Sequence, residues 1–188
     1  MYRNHVKRTI DILLASTALF VLSPLMGLVA LVIRLQDGGP VVFRQARVGR
    51  DGKPFGFLKF RSMSVGTPNV TSTQRHLLRI TPFGRIIRRT SIDELMQLFN
   101  ILRGDMSIVG PRPPIPSQEH LIRLRRENGA LQLRPGLTGW AQVNSYDHMT
   151  EEVKARFDGE YASRLSFAFD VRIILRTLLY LTKEPPTY

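Results

Sequence analysis

Asp93 and Glu94 stand side by side in this chain, just behind Arg85, Arg88 and Arg89. Adjacent carboxylates next to arginines suit phosphate chemistry. One carboxylate can attack phosphorus or take a proton, while its neighbour holds Mg²⁺, which prefers oxygen ligands. The arginines can grip phosphate oxygens two at a time. A plainer reading is equally open. Ser91 fits a helix N-cap, Glu94 three residues on completes a capping box, and Asp93 favours the positive helix end, each for about 0.3–1 kcal/mol.

Other cations invite the same pair of readings. Arg112 lies in Gly110-Pro111-Arg112-Pro113, where prolines stiffen the backbone around one guanidinium. That suits an anion clamp or a surface turn. Arg134, in Arg134-Pro135-Gly136, is alike. Lys59 and Arg61 flank Phe60 and would share a strand face, toward a ligand or toward water. His5, His76, His120 and His148 show no metal-ligand spacing, and Trp140 reads as packing.

The elements that must position these groups are short. Val41 to Val48 and Phe55 to Arg61 read as strands joined by the turn Arg50-Asp51-Gly52-Lys53. Ser64 to Gln74 reads as a polar loop. Thr81-Pro82 starts a helix with a cap and a first-position proline. Ile92, Leu95, Leu98, Phe99 and Leu102 repeat at helical spacing up to the stop signal Gly104. Val109 to Pro114 is too proline-rich for helix or inner strand, and Arg134 to Trp140 reads as irregular. Pro116 to Asn128 and Thr150 to Tyr161 read as helices. Phe167 to Leu181 reads as an amphipathic helix with Arg172, Arg176 and Lys183 opposite Ile173, Ile174, Leu178 and Leu181. It would lie in a membrane interface with its basic face on lipid phosphates, or cover a core with that face in water.

Ile12 to Ile33 is a run of 22 uncharged residues, long enough to cross a hydrocarbon core of about 30 Å. Pro24 in its middle removes a backbone donor, and Ser23 can bond the groups so freed. Arg3, Lys7 and Arg8 precede the run; Arg34, Arg44, Arg47 and Arg50 follow it. The positive-inside rule points both ends at the cytoplasm. A re-entrant helix bending at Ser23-Pro24 satisfies both observations; an ordinary spanning helix with a tolerated proline is the alternative. No small-x-small cleavage site follows, which argues against a signal peptide. The organisation expected is a membrane helix over 1–36 and a cytosolic domain over 37–188.

The chain has 188 residues, no cysteine, 43% hydrophobic residues and a net charge of +12. Disulfides, thiolate nucleophiles and cysteine-held zinc are excluded. The charge favours nucleic acid, anionic membrane lipid or phosphorylated substrates. Nucleic acid is not expected, because the aromatics do not interleave with the basic residues as a stacking platform would.

Lys59-Phe60-Arg61-Ser62-Met63, Thr90-Ser91-Ile92-Asp93-Glu94-Leu95, Gln97-Leu98-Phe99-Asn100, Gly104-Asp105-Met106-Ser107, Val109-Gly110-Pro111-Arg112-Pro113 and Arg134-Pro135-Gly136 occur in one order along the chain. Together they resemble the bacterial sugar transferases, the monotopic phosphoglycosyl transferases, and the length resembles the small members made of the catalytic core alone. The resemblance implies transfer of a phosphosugar from a UDP-sugar, expected to be N-acetylated, to polyprenol (undecaprenyl) phosphate, releasing UMP and starting a surface or glycoprotein glycan. It implies Asp93 as covalent nucleophile, Glu94 as Mg²⁺ ligand, and Arg88 and Arg112 near the active site. It also implies a re-entrant helix broken at Ser23-Pro24, with the catalytic domain on the cytoplasmic face of the bacterial inner membrane. The fold expected is α/β, α-rich and irregular, with a short β-hairpin and interfacial helices; homo-oligomers are left open. Met96 stands where the family usually has proline, which should relax the helix start. The rivals are a Mg²⁺-dependent membrane-anchored phosphohydrolase using the same acidic pair and a membrane-anchored nucleic-acid-binding protein.

Overall fold

A computed structural model describes residues 2–67, 79–144 and 149–181. Ser145 to His148, His76 and most of the Ser64 to Gln74 stretch lie outside them, as does Lys183.

A π-helical turn, Tyr2–Val6, leads into α1, Lys7–Asp37. Its helical assignment continues through Pro24, and Gly38, at φ 68°, caps it with its N–H on the Arg34 carbonyl. Ser23 Oγ donates to the Phe20 carbonyl at 2.8 Å, the backbone bond expected of a serine next to a helical proline. Helix α1 is the one described helix long and apolar enough to cross a bilayer. Asp11, Ala15, Met26, Val29 and Ile33 are buried along it, while Leu13, Phe20, Val21, Leu28 and Leu35 are exposed. Both halves pack on the rest of the chain. Ala15 joins Phe57, Leu98, Ile101 and Met106 in one core cluster, and Met26, Val29 and Ile33 join Phe60 and Ile87 in another.

Strands β1, Val42–Val48, and β2, Pro54–Phe60, form the expected antiparallel hairpin, with Val42 opposite Phe60 and Val48 opposite Pro54. Asp51 and Gly52 turn the chain at φ 58° and 81°, a conformation Gly adopts freely and Asp tolerates. Helix α2, Pro82–Arg89, begins as predicted: Thr81 Oγ1 accepts from Gly84 N at 2.9 Å. A 3₁₀ turn, Ile92–Met96, then runs into α3, Gln97–Arg103, which stops at Gly104.

Two elements escaped the sequence reading. Ser107–Val109 is β3 and Gly136–Thr138 is β4, a parallel pair. It is extended by Ser107 N to the Pro135 carbonyl, Gly136 N to the Pro111 carbonyl and Gly110 N to the Thr138 carbonyl, at 2.9, 2.9 and 2.8 Å. The backbones approach so closely that a Cβ at Gly136 would collide with the Gly110 nitrogen. Three residues per strand carry no periodicity, so only tertiary pairing defines them.

Helix α4, Glu119–Glu127, and α5, Glu151–Arg164, fall where expected, α5 capped by Thr150. Helix α6, Phe167–Leu181, matches its predicted span. Val109, Leu133, Trp140, Tyr161, Phe169 and Ile173 form the third core cluster, which bears out Trp140 as packing. The faces of α6 differ from expectation. Phe169, Asp170 and Ile173 are buried, and the exposed stripe is apolar: Phe167, Val171, Leu175, Leu178 and Leu179. Arg172 and Arg176 lie over the Trp140 ring, at 5.7 and 5.0 Å from its centre. Cation–π attraction to that indole suits both guanidinium groups, though Arg172 stays exposed and Arg176 half-buried.

Candidate active site

The 3₁₀ turn carries the acidic pair, and its entry is unusual. Ser91 sits at φ 55°, a left-handed conformation uncommon for a residue other than glycine. The Ser91 side chain makes no cap bond, so the predicted capping box is absent. Ser91 holds the turn through its backbone carbonyl, which accepts from Glu94 N at 3.1 Å. The Glu94 carboxylate instead faces cations: Lys59 Nζ donates to its Oε1 at 2.7 Å and Arg112 Nη2 donates to the same oxygen at 3.2 Å. Asp93 is 5% exposed, with its Oδ2 at 3.7 Å from Lys59 Nζ.

Each cation comes from a different element. Lys59 is on β2. Asn100 of α3 fixes that strand by accepting from Leu58 N at 3.0 Å and donating to the Gly56 carbonyl at 2.8 Å. Arg88 closes α2. Arg112 follows β3, and its loop is pinned at several points. Arg47 Nη1 donates to the Pro113 carbonyl at 3.1 Å and Val48 N to the Pro114 carbonyl at 2.9 Å. Arg125 Nη1 donates to the Arg112 carbonyl at 2.8 Å. Arg125 is itself held by Asp158, with both side chains buried (2% and 1% exposed) and Nη2–Oδ2 at 2.6 Å.

The two carboxyls are driven apart. Burial pushes Asp93 above its ordinary value and the Glu94 charge adds to this; Lys59, Arg88 and Arg112 oppose it without reversing it. Burial would raise Glu94 too, but Arg112 and Lys59 outweigh it and hold its pKa at about 2. Burial and the surrounding cations thus place the two neighbouring acids in opposed environments. The pair also fits Mg²⁺ chemistry. Glu94 is held in its ionised form, and Mg²⁺ typically takes one or two carboxylates and completes its shell with water and substrate phosphate. Among the described residues no group of three or more acidic or histidine side chains could hold a metal alone.

Lys59, Arg88, Asp93, Glu94 and Arg112 thus come together. Arg134 lies elsewhere, and Arg61 makes another contact. The Arg61 guanidinium rests against Gly39, past the end of α1, and Arg134 Nε donates to the Gly104 carbonyl at 2.9 Å. Met96 packs against the cluster containing Phe60 and Ile87, so the residue at the usual proline position adds apolar contact. Sequence reasoning missed Asn100 and Arg125. Asn100 had a signal, a fully buried amide among apolar residues of one helix. Arg125, in the charged run of α4, had none.

Comparison with known proteins gives the family of the chain. The family described as bacterial sugar transferase matches residues 2–184. A UDP-glucose:undecaprenyl-phosphate glucose-1-phosphate transferase of Escherichia coli (strain K12) is 42% identical over 92% of this chain and 39% of its own length. The uncharacterized sugar transferase EpsL of Bacillus subtilis (strain 168) is 38% identical over 92% of this chain and 85% of its own. A UDP-N-acetylgalactosamine-undecaprenyl-phosphate N-acetylgalactosaminephosphotransferase of Aeromonas hydrophila is 38% identical over 92% of this chain and 43% of its own. The chain therefore spans about two fifths of the first and third of these relatives. With a family match over nearly its whole length, the chain belongs to the bacterial sugar transferase family.

Proposed function

We propose that the protein is a phosphoglycosyl transferase that moves a sugar 1-phosphate from a UDP-sugar to undecaprenyl phosphate through a covalent Asp93 intermediate. The observation that carries this reading is the buried Asp93 carboxylate beside Glu94, facing Lys59, Arg88 and Arg112. An Asp93 oxygen attacks the sugar-bearing phosphorus, and the bond from that phosphorus to the bridging oxygen breaks. UMP leaves with that oxygen and its electron pair. A phosphate oxygen of undecaprenyl phosphate then attacks the same phosphorus and displaces the Asp93 carboxylate. The sugar–oxygen bond is untouched, and no water is consumed. Partial desolvation makes Asp93 a more basic nucleophile than an aspartate in water. Lys59 and Arg112 orient Glu94, and Arg88 adds positive charge near Asp93 for the phosphoryl oxygens. Glu94, with substrate phosphate oxygens, would hold Mg²⁺, whose charge offsets that of the diphosphate.

A lipid-linked acceptor needs a site at the membrane surface. The exposed apolar faces of α1 and α6 suit insertion into the bacterial inner membrane from its cytoplasmic side. Re-entry of α1 at Ser23-Pro24 draws support from its packing. Arg8 at one end donates to the Ile101 and Leu102 carbonyls, and Ile33 near the other packs with Phe60 and Ile87. One polar domain that holds both ends favours keeping both on one side. The relatives' names offer glucose and N-acetylgalactosamine as donor sugars, so N-acetylation of the donor is one of two choices. UMP release from each UDP-sugar, with and without undecaprenyl phosphate, tests the proposal. Transfer needs the lipid; a phosphohydrolase frees sugar phosphate without it, and that outcome would overturn the reading.

A further inference from the structure

A cavity of about 280 Å³ lies away from the acidic pair, lined by Lys7, Arg8, Asp11, Arg50, Ser107 and Arg134 among others. None of Lys59, Arg88, Asp93, Glu94 or Arg112 lines it. Four cations face it against one carboxylate, and their bonding leaves that charge unbalanced. Lys7 is neutralised by Asp170 at 2.7 Å. Arg50 meets only the exposed Asp51, at 3.3 Å. Asp11 is turned to Ser107 Oγ and Ile108 N, at 2.8 and 2.9 Å. The Arg8 and Arg134 guanidinium groups bond uncharged partners: Arg8 donates to the Ile101 and Leu102 carbonyls at 2.6 and 2.9 Å, and Arg134 to the Gly104 carbonyl at 2.9 Å. Burial and the nearby Arg8 and Arg50 charges depress the Arg134 pKa, with the Asp11 carboxylate only partly opposing them.

Capping of α3 is the plain explanation, since those carbonyls close that helix. It covers too little. A helix end carries about half a charge, and α3 has seven residues. Asp11 and that half charge together still leave a net positive excess among Arg8, Arg134 and Arg50, around a polar space far larger than the ~30 Å³ share of one water.

We propose that this cavity is a second anion site that takes a phosphate group, separate from the catalytic pair. Its planar arginine donors match tetrahedral phosphate oxygens. Two sources of that group fit. The cavity is walled by the first turn of α1 and by Tyr161 and Leu165 at the end of α5. Tyr2 stacks edge-on against Phe167, at the start of the exposed apolar stripe of α6, with centroids 6.1 Å apart. A phospholipid headgroup would reach the cavity from those apolar faces, and free phosphate from water.

The test uses the full chain in detergent and in nanodiscs. Inorganic phosphate binding is read by ³¹P line broadening, and retained phosphatidylglycerol by native mass spectrometry; nanodiscs whose only anionic lipid lacks phosphate control for charge. The parent should show two phosphate classes, one removed by Arg112→Gln and the other by Arg8→Gln/Arg134→Gln. The second class should weaken at least roughly tenfold, the loss expected for a charge-assisted contact. Arg50→Glu, on a half-exposed side chain, should weaken the same class without touching the core, so the test survives poor folding of the double variant. Retention of phosphatidylglycerol over the phosphate-free anionic lipid assigns the site to lipid; broadening of phosphate without lipid retention assigns it to free phosphate. A parent with one phosphate class and no lipid preference, or variants that bind as the parent does, overturns the proposal. UMP release is measured in parallel, so failure here leaves the reading of Asp93 separately judged.

Discussion

The buried Arg125–Asp158 pair should tie the stability of the domain to the aim of Arg112, in a way that can be taken apart. Both side chains are almost fully buried, Arg125 Nε and Nη2 meet Asp158 Oδ2 at 2.8 and 2.6 Å, and Nη1 donates to the Arg112 carbonyl at 2.8 Å. Asp158→Asn strands a buried guanidinium, which should cost about 3–5 kcal/mol. For a domain of this size that lowers Tm by about 6–20 °C, at about 2–4 °C per kcal/mol. Replacing the pair together, Arg125→Met/Asp158→Leu, removes both buried charges and should recover most of that loss. It does not restore the donor to the Arg112 carbonyl. An Arg112 displaced by about 1 Å should cost up to about 100-fold in transfer. Thermal melts and UMP release on the parent, Asp158→Asn and the double variant separate the two roles. A double variant that is stable and fully active would refute positioning through Arg125. An Asp158→Asn protein that melts with the parent would refute the buried pair.

The pH dependence has a definite sign. Asp93 is raised above 3.8 and attacks when ionised, so transfer should fall on acidification through a pKa above that value, while Glu94, near 2, stays charged; an acid limb below 3.8 would contradict this. The folded Glu94 pKa lies below its ordinary 4.5, so its stabilisation is complete above 4.5 and fades as pH falls toward 2. Acid melts of Arg112→Gln should lose part of that dependence. Excess chelator should abolish UMP release, restored by Mg²⁺; full turnover in chelator would remove the metal from the account. Leucine at both Ser23 and Pro24 should straighten α1 and let a spanning topology compete. Single cysteines at Asn4 and Gly38, in a chain with none of its own, report sidedness; external labelling of position 4 alone in otherwise unaltered protein would show that the helix simply spans.

Local signals carried the hairpin, the Thr81 and Thr150 caps and the Gly104 stop, because each rests on a turn or cap residue acting on its neighbours. The β3–β4 pair was invisible, since it rests on pairing between segments 29 residues apart in register, Ser107 with Gly136, and on the close approach of Gly110 to Gly136. The acidic pair was legible as a candidate, but the Ser91-to-Glu94 spacing supported a capping box equally well. What decides between them is the reach of Lys59 and Arg112 across the fold. Arg134 shared a motif with site residues, yet the β4 entry carries it elsewhere, and Arg61, on the Lys59 face by alternation, has its guanidinium against Gly39. Arg172 and Arg176 fit a basic lipid-facing stripe by spacing; the structure adds that both stack on the Trp140 ring.

Intact mass after exposure to the UDP-sugar alone tests the central claim most directly. With no lipid acceptor, the first half-reaction should stall with the phosphosugar on the enzyme. The parent should gain the mass of one sugar phosphate, lose it on adding undecaprenyl phosphate, and map it to Asp93. Asp93→Asn should stay folded, with an equal or higher Tm because burial disfavours the charged carboxylate it removes, and gain nothing. An adduct on folded Asp93→Asn, or lipid-dependent turnover by it, would contradict the account.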